Sequence, residues 1–251
     1  MSPSANPYKH NAPIKNKEYF FGRNDIIENI EYDIKQSTTS APQFVNIGIT
    51  GKEGVGKTSL SYIIEGIAEE NNISTVRIDL DEGLVDTASQ IFQRIYQECS
   101  EEVGGDIEEG YINAISGKLK EVEINAKFLR ILFSDNESTD LPESIVQKAF
   151  RNIYDDLDSP AILITLDNAQ YLSENSVALQ KLKNVFSDLA GYILCLSGTE
   201  ETFDKITSAF SPVARMFNKY EIGKFKKFET TKKSILEPLS GDDKEKLIEK
   251  Q

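Results

Sequence analysis

Eight residues in the first quarter of the chain, Gly51 to Thr58, follow the pattern G-x-x-x-x-G-K-[ST]. The apolar, β-branched stretch from Phe44 to Thr50 precedes them, and a stretch with helical spacing, Leu60 to Glu70, follows. A buried strand that turns through glycines into a helix is the context in which this pattern binds phosphate. Because the pattern is complete and both flanks fit, we favour a phosphate-binding loop over an ordinary glycine-rich turn.

The residue types of this loop suit a nucleoside triphosphate. Glycines let the backbone curve closely around an anion with its N–H groups pointing inward, and the following helix adds free N–H groups and the positive end of its dipole. We expect Lys57 to contact the β- and γ-phosphates and Thr58 to ligate Mg²⁺ through its hydroxyl. The predicted nucleotide-binding residues here are Gly51, Lys52, Glu53, Gly54, Val55, Gly56, Lys57, Thr58 and Ser59.

A second apolar stretch, Ala161 to Asp167, ends in an acid. In a chain with a phosphate-binding loop, such a strand predicts that Asp167 holds the water shell of the Mg²⁺ ion. Thr58 and Asp167 are then the two predicted metal-site residues. A core strand that ends in a capping aspartate is the alternative. The next residue, Asn168, stands where many P-loop ATPases have a second acid, and an amide cannot accept the proton of the attacking water. We therefore expect slow hydrolysis, unless Glu53, Glu200 or a partner supplies the base.

Two hydroxyl residues follow another apolar stretch. Tyr192 to Leu196 runs into Ser197, Gly198 and Thr199. In a parallel sheet, beside the strand that ends at Asp167, this end lies next to the γ-phosphate. Ser197 or Thr199 is therefore a candidate to hydrogen-bond the phosphate or the attacking water, with a polar turn as the alternative.

Arg215 comes shortly before the predicted fifth strand, Lys219 to Gly223. An arginine there can stabilise the charge of a phosphoryl-transfer transition state, from its own chain or from a neighbouring subunit. The alternative is a solvated or acid-paired arginine. With Lys57, Asp167 and Asn168, Arg215 completes the predicted catalytic set.

Apolar stretches alternate with helical periodicity along the chain, with strands predicted at residues 44–50, 75–80, 161–166, 192–196 and 219–223 and a short helix predicted at 202–208. This alternation predicts a three-layer α/β/α sandwich around a mostly parallel five-stranded sheet, with ligands bound at the carboxyl ends of the strands. The predicted domains are a flexible arm (1–18), a core (19–225) with an acidic insertion at about 101–140, and a short tail (226–251).

Composition disfavours several kinds of catalytic or metal site and several cellular locations. The one histidine, His10, lies in the polar arm, so a Ser-His-Asp triad, a Cys-His dyad and a multi-histidine zinc site are disfavoured. Cys99 and Cys195 lie in apolar segments, which favours reduced core residues. No apolar run is long enough to cross a bilayer, and the start of the chain lacks the apolar region of a signal peptide. We expect a cytoplasmic protein with no membrane partner.

The chain carries 28 Lys and Arg against 41 Asp and Glu, a net charge of −13. Nucleic-acid binding depends on cations that neutralise phosphates, so this charge argues against generic binding of DNA. Five lysines between residues 224 and 233 form a local basic cluster. This cluster is a candidate binding site for DNA or for an acidic protein partner, and the alternative is a run of solvated charges.

Together these motifs resemble the AAA+ and STAND-type ATPases over residues 20–225. Phe20 to Asp25 (FFGRND) is similar to their motif F-[IV]-G-R-x-x-E-[LI], which packs near the adenine. The resemblance therefore implies that Phe21 and Arg23 contact the nucleotide. The loop matches their Walker A motif, and Leu163 to Gln170 (LITLDNAQ) resembles their Walker B pattern hhhhDDAQ.

Two later segments extend the resemblance. Leu196 to Thr199 is similar to the sensor segment of the fourth strand. Ser211 to Glu221 is similar to the segment S-P-x-x-R-x-F before the fifth strand, which makes Arg215 a candidate arginine finger. The most similar branches are origin-recognition, transposition-regulator and STAND ATPases of archaea and bacteria. The resemblance implies the strand order 5-1-4-3-2, ATP with Mg²⁺ between the core and a helical lid, and switching coupled to oligomerisation.

Two departures from that family pattern shape the predicted function. Asn168 predicts weak turnover, and the sequence ends soon after Ser240, where relatives continue into a helical lid, so we expect a reduced or absent lid. We predict an ATP-binding NTPase that acts as a nucleotide-controlled switch or assembly module, with a homo-oligomer or another protein as partner. The alternatives are a non-hydrolysing ATP-binding module and a small-molecule kinase, which the lack of an arginine-rich lid disfavours. A GTPase is weaker still, because no N-K-x-D motif is present.

Overall fold

The computed structural model describes residues 12–102 and 143–224. Its helices are α1 (Asn24–Ser37), α2 (Lys57–Glu70), α3 (Ala88–Glu102), α4 (Glu143–Asp155), α5 (Ser176–Phe186) and α6 (Thr202–Ala214), with 3-10 helices at Lys17–Tyr19 and Leu172–Glu174. Its strands are β1 (Asn46–Thr50), β2 (Ser74–Asp79), β3 (Ile162–Asp167), β4 (Tyr192–Gly198) and β5 (Phe217–Glu221). Most of the predicted insertion and the whole predicted tail lie outside the described residues.

The strands form one parallel sheet in the order β2-β3-β4-β1-β5. This confirms the predicted α/β/α fold and the order 5-1-4-3-2 that the resemblance implies. Because the strands all run in one direction, their carboxyl ends lie along one edge of the sheet. β1 lies between β4 and β5, so the loop that follows it leaves the sheet at that edge, beside the end of β4.

Helices cover both faces of the sheet. Every residue of β3 and β4 is buried. Neighbouring residues face opposite sides: Leu163 packs into the apolar cluster with α1 and α2, whereas Ile164 packs into the cluster with α3 to α6. Burial on both faces explains why these strands are continuous apolar runs rather than alternating ones.

Several element boundaries differ from those predicted. α2 begins at Lys57 rather than Leu60, so the last residues of the phosphate-binding motif form its first turn. β5 begins at Phe217 rather than Lys219. α6 continues past the predicted end at Ser208 and contains Pro212, with non-helical backbone at Phe210. Proline removes one helical hydrogen bond and crowds the preceding turn, which accounts for the kink.

Both cysteines lie fully buried in this core, Cys99 in α3 and Cys195 in β4. Burial raises the pKa of both thiols, and the thiolate is the form that reacts. We expect neither thiol to react with an aromatic disulfide reagent in the native protein, and both to react in guanidinium. The absorbance of the released thiol measures this directly, and rapid labelling of native protein would contradict the buried positions.

The described part of the predicted arm lies against the core. The N–H of Ile14 donates to Ser59 Oγ in α2 at 3.0 Å, and Lys17 Nζ pairs with Glu31 in α1 at 3.1 Å. Residues 1–11 lie outside the described part of the chain, and the predicted domain boundaries stay predictions. Within the described ranges, no helix is long and apolar enough to cross a membrane.

Candidate functional site

The phosphate-binding loop runs from the end of β1 at Thr50 to the start of α2 at Lys57. Gly54 and Gly56 have φ values of 75° and 95°. These left-handed conformations cost other residues about 1 kcal/mol or more, which explains both glycines. Among the described residues, no side chain caps the start of α2, so the N–H groups of its first turn remain available to an anion.

Arg23 supports the outer side of this loop. Its Nη2 donates to the backbone oxygens of Val55, in the loop, and of Gly223, just after β5, both at 2.8 Å. Arg23 itself has φ of 67°, a conformation that is unfavourable for arginine, and burial lowers its pKa. Arg23 therefore ties the loop to the chain that leaves β5. Phe21, two residues earlier, is half-buried.

Two motif residues in the first turn of α2 make polar contacts. Lys57 Nζ donates to the backbone oxygen of Lys52 at 2.9 Å, so the ammonium folds back onto its own loop. Thr58 Oγ1 donates to Asp167 Oδ2 at 3.0 Å, which connects the loop with the end of β3. A hydroxyl and a carboxylate side by side are the oxygen donors that Mg²⁺ prefers. The residues present therefore fit a magnesium–nucleotide complex.

The Asp167 side chain is almost completely buried and accepts hydrogen bonds from several donors. The N–H of Asn168 donates to Oδ1 at 3.0 Å, whereas Thr58 and Nη2 of Arg77 share Oδ2. Arg77, in β2, is a functional candidate that the sequence analysis missed. The signal that could have found it is a charged residue within a predicted strand, two positions before Asp79, which pairs with Asp167 in the sheet.

The ends of β3 and β4 meet at the same edge of the sheet. Asn168 is exposed with φ of 59°, a left-handed conformation that asparagine adopts more readily than most residues. The N–H of Ala169 donates to the backbone oxygen of Ser197 at 2.8 Å. Ser197 is fully buried, and its Oγ has no hydrogen-bond partner within the part of the chain described. Thr199 Oγ1 lies 3.1 Å from Thr202 Oγ1.

Arg215 lies apart from these residues. It is exposed and caps the end of α6, just before β5. Phe217 pairs with Asn46 at the start of the parallel strand β1, so Arg215 lies at the amino-terminal edge of the sheet and the loop at the other. The five residues of β1 span about 16 Å, which separates Arg215 from the loop of its own chain. This separation disfavours action of Arg215 on the site of its own chain, whereas its exposed position fits both action on a neighbouring subunit and a solvated arginine.

The strand order and the contacts of the loop together identify the kind of NTPase core in this chain. A parallel sheet of this order, a glycine loop leading into an uncapped helix, and a threonine bonded to the acid at the end of β3 are together the core of a P-loop NTPase. The KAP family P-loop domain matches residues 23–196, more than half of the chain. The chain therefore belongs to the KAP family, and the predicted class of P-loop ATPase is confirmed. Arg215 lies beyond the matched residues.

Solved structures support the same fold. The chain is similar to the ORC1 protein of Aeropyrum pernix in complex with DNA, with 11% identity, a TM-score of 0.52, and coverage of 87% of this chain and 49% of that one. It is also similar to the ORC2 protein of Aeropyrum pernix in its ADPNP–ADP complexes, with 13% identity, a TM-score of 0.58, and coverage of 92% and 54%. The chain thus spans about half the length of these proteins. A comparison with curated proteins gives no match.

Proposed function

We propose that this chain binds ATP together with Mg²⁺ and acts as a nucleotide-controlled switch or assembly module with slow hydrolysis. The contact between Thr58 and Asp167 carries the proposal, because it joins the two motifs at the start of an uncapped helix. Membership of a P-loop NTPase family supports nucleotide binding. The similar ORC2 structures are an ADP form and ADPNP–ADP complexes, which supports an adenine nucleotide.

Different residues would bind the phosphates and the metal ion. Lys57 and the N–H groups of the loop would hold the phosphates, while Thr58 and Asp167 would hold Mg²⁺, which neutralises phosphate charge when it is bound. Asn168 and Thr199 extend from the ends of β3 and β4 beside this site. These strand ends are the segments that would respond to the state of the nucleotide, as ordered and released segments do in other P-loop switches.

The direct test is equilibrium binding of ATP and of GTP to the wild-type chain by calorimetry, in Mg²⁺ and in EDTA. We expect ATP to bind, Mg²⁺ to strengthen the binding, and GTP to bind more weakly. A chain that binds neither nucleotide in Mg²⁺ would overturn the proposed function.

Asn168 determines whether the switch turns ATP over. Glu53 and Glu200, the other candidate bases, are both exposed. If the missing acid limits hydrolysis, Asn168→Asp should raise ATP turnover by about 10-fold or more, since a positioned general base contributes at least that much. Aspartate is the better replacement than glutamate, because it tolerates the left-handed backbone of this position. Steady-state phosphate release measures the change.

Asn72→Asp is the matched control for that substitution. Asn72 is also exposed with φ of 59°, and it precedes β2 at the opposite edge of the sheet. Asn72→Asp adds the same negative charge at a residue with the same backbone conformation, and we expect no change in turnover. A flat response to Asn168→Asp would count against Asn168 as the limiting residue. Turnover that stays at zero in protein shown to hold ATP would favour the second candidate, a non-hydrolysing assembly module.

The partners follow from the geometry of Arg215 and from charge. An arginine that acts on a neighbouring site requires a homo-oligomer, or another protein that offers an equivalent site. The similar ORC1 structure is a complex with DNA, but the net charge of −13 disfavours generic DNA binding by this chain. Of the lysine cluster, only Lys224 lies within the described residues. We therefore propose self-assembly as the first partner interaction to test.

A further inference from the structure

A chain of charges lies beneath the phosphate-binding loop, between α2 and the sheet. Arg77 Nη1 bonds to Glu65 Oε1 of α2 at 2.8 Å, and Arg77 Nη2 bonds to Asp167 Oδ2 of β3. All three side chains are largely buried, with Asp167 the most deeply buried at 6% side-chain exposure. One guanidinium therefore bridges two carboxylates, one of which is the predicted metal-site acid.

Arg77 is held from several further directions. Its Nη1 also donates to Ser61 Oγ at 3.1 Å, and its guanidinium lies 4.2 Å from the centre of the Tyr62 ring. Its Nε lies 3.3 Å from Asp79 Oδ1 but has no hydrogen-bond partner among the described residues. The planar fork of arginine presents five donors in fixed directions to partners on different sides, whereas lysine has three donors on one compact ammonium. A guanidinium fixed in this way is poorly suited to leave its place when a ligand binds.

The electrostatics of the cluster favour a lasting bridge. Burial raises the pKa of Glu65, and the charge and hydrogen bond of Arg77 work in the opposite direction. For Arg77, burial works to lower the pKa, but the charges of Glu65 and Asp167 raise it above its usual value. Taking away one member of such a buried group leaves another charge unpaired, which is costly.

We propose that Arg77 is a positioning residue that holds the Asp167 carboxylate in place for Mg²⁺, with Glu65 as its anchor on α2. The proposal rests on the proposed function and deepens it. Asp167 Oδ2 is shared by Thr58 and Arg77, and Oδ1 accepts the N–H of Asn168, so the orientation of the carboxylate is set before a metal arrives. Partners of this kind, one step removed from the metal, tune its affinity.

The test is the double variant Glu65→Gln with Arg77→Met. It removes one negative and one positive charge together, so Glu65 is not left buried without Arg77 and the net charge of the cluster is unchanged. Asp167 loses its ion pair but keeps the hydrogen bonds from Thr58 and Asn168. We measure the ATP dissociation constant in EDTA and in Mg²⁺ and take their ratio as the magnesium effect. We expect the magnesium effect to fall by about 10-fold or more, with binding in EDTA unchanged within about 2-fold, because the loop itself is intact.

Two further variants complete the experiment. Arg94→Met with Glu98→Gln removes a surface ion pair of α3 and should leave the magnesium effect unchanged. Arg77→Lys keeps the charge in case the double variant does not fold. It should also reduce the magnesium effect, because its compact ammonium lacks the fork that holds Glu65 and Asp167 with separate nitrogens. Thermal unfolding confirms that each variant is folded.

The outcomes separate the two proposals. Wild type that binds ATP, with folded Arg77 variants that keep the full magnesium effect, would overturn the role of Arg77 alone. A magnesium effect that rises would also overturn it, since Arg77 would then compete with the metal. Wild type that fails to bind ATP at all would overturn the proposed function, and this inference with it.

Discussion

Replacing Lys57 by alanine is expected to weaken ATP binding by at least about 100-fold. The ammonium would contact two phosphates, and hydrogen bonds to charged groups are worth about 1.5 to 3 kcal/mol each. In the structure its described hydrogen bond is to the backbone oxygen of Lys52, at the solvent-exposed loop. The free energy of unfolding should therefore change little. Calorimetric titration with ATP in Mg²⁺, with thermal unfolding alongside, measures both quantities.

Lys205→Ala is the matched control, because it removes the same charge from an exposed position on α6, where Lys205 pairs with Glu201. We expect its ATP affinity to equal that of wild type. If folded Lys57→Ala binds ATP as tightly as the control, the loop is not the phosphate site and the proposed function is wrong. Loss of binding in both variants would instead indicate a general effect of net charge.

A large loss of ATP turnover is also expected for Arg215→Ala. If Arg215 completes the site of a neighbouring subunit, wild-type turnover per protomer should rise with protein concentration. The variant should then lose about 1,000-fold of turnover at high concentration, as removal of an arginine finger does in other P-loop enzymes. Its ATP affinity should be unchanged, because Arg215 lies at the opposite edge of the sheet from the loop of its own chain. Turnover assays over a range of protein concentrations test both points.

Mixing two inactive variants sharpens this experiment. Lys57→Ala keeps Arg215, and Arg215→Ala keeps an intact loop, so a mixed oligomer contains sites in which both residues are present. We expect the mixture to recover turnover that neither variant has alone. The control is Lys57→Ala alone at the same total protein concentration. Wild-type turnover that is measurable but independent of concentration, or Arg215→Ala at the wild-type rate, would contradict action between subunits.

Local patterns predicted most of the core. Strands such as β3 are continuous apolar runs because helices bury both of their faces, and that pattern is visible in the sequence. The order of the strands came from the resemblance rather than from periodicity. The boundaries were less predictable: α6 continues through Pro212, where sequence reasoning stopped the helix at Ser208, because the kink at Phe210 allows helical turns on both sides.

The residues of the site also differ in how well the sequence could predict them. Lys57, Thr58 and Asp167 could be found because their chemistry is tied to short motifs with fixed spacing. Arg77 could not be singled out with the same force, because its role depends on partners from α2 and β3 that lie 12 and 90 residues away. A charged residue in a short strand is usually solvated, and only the packing of α2 on β2 and β3 makes this one a bridge.

Residue types and their spacing were enough to predict a phosphate-binding loop, an acid at the end of a buried strand, and an arginine before the last described strand. These features are local, because each depends on neighbouring residue types and on strand or helix periodicity. Three relations became visible only in the folded chain: Thr58 contacts Asp167, Arg77 joins Asp167 to Glu65, and Arg215 lies at the far edge of the sheet. The physical reason is that the register and direction of parallel strands, set by packing across the whole sheet, determine which distant side chains meet.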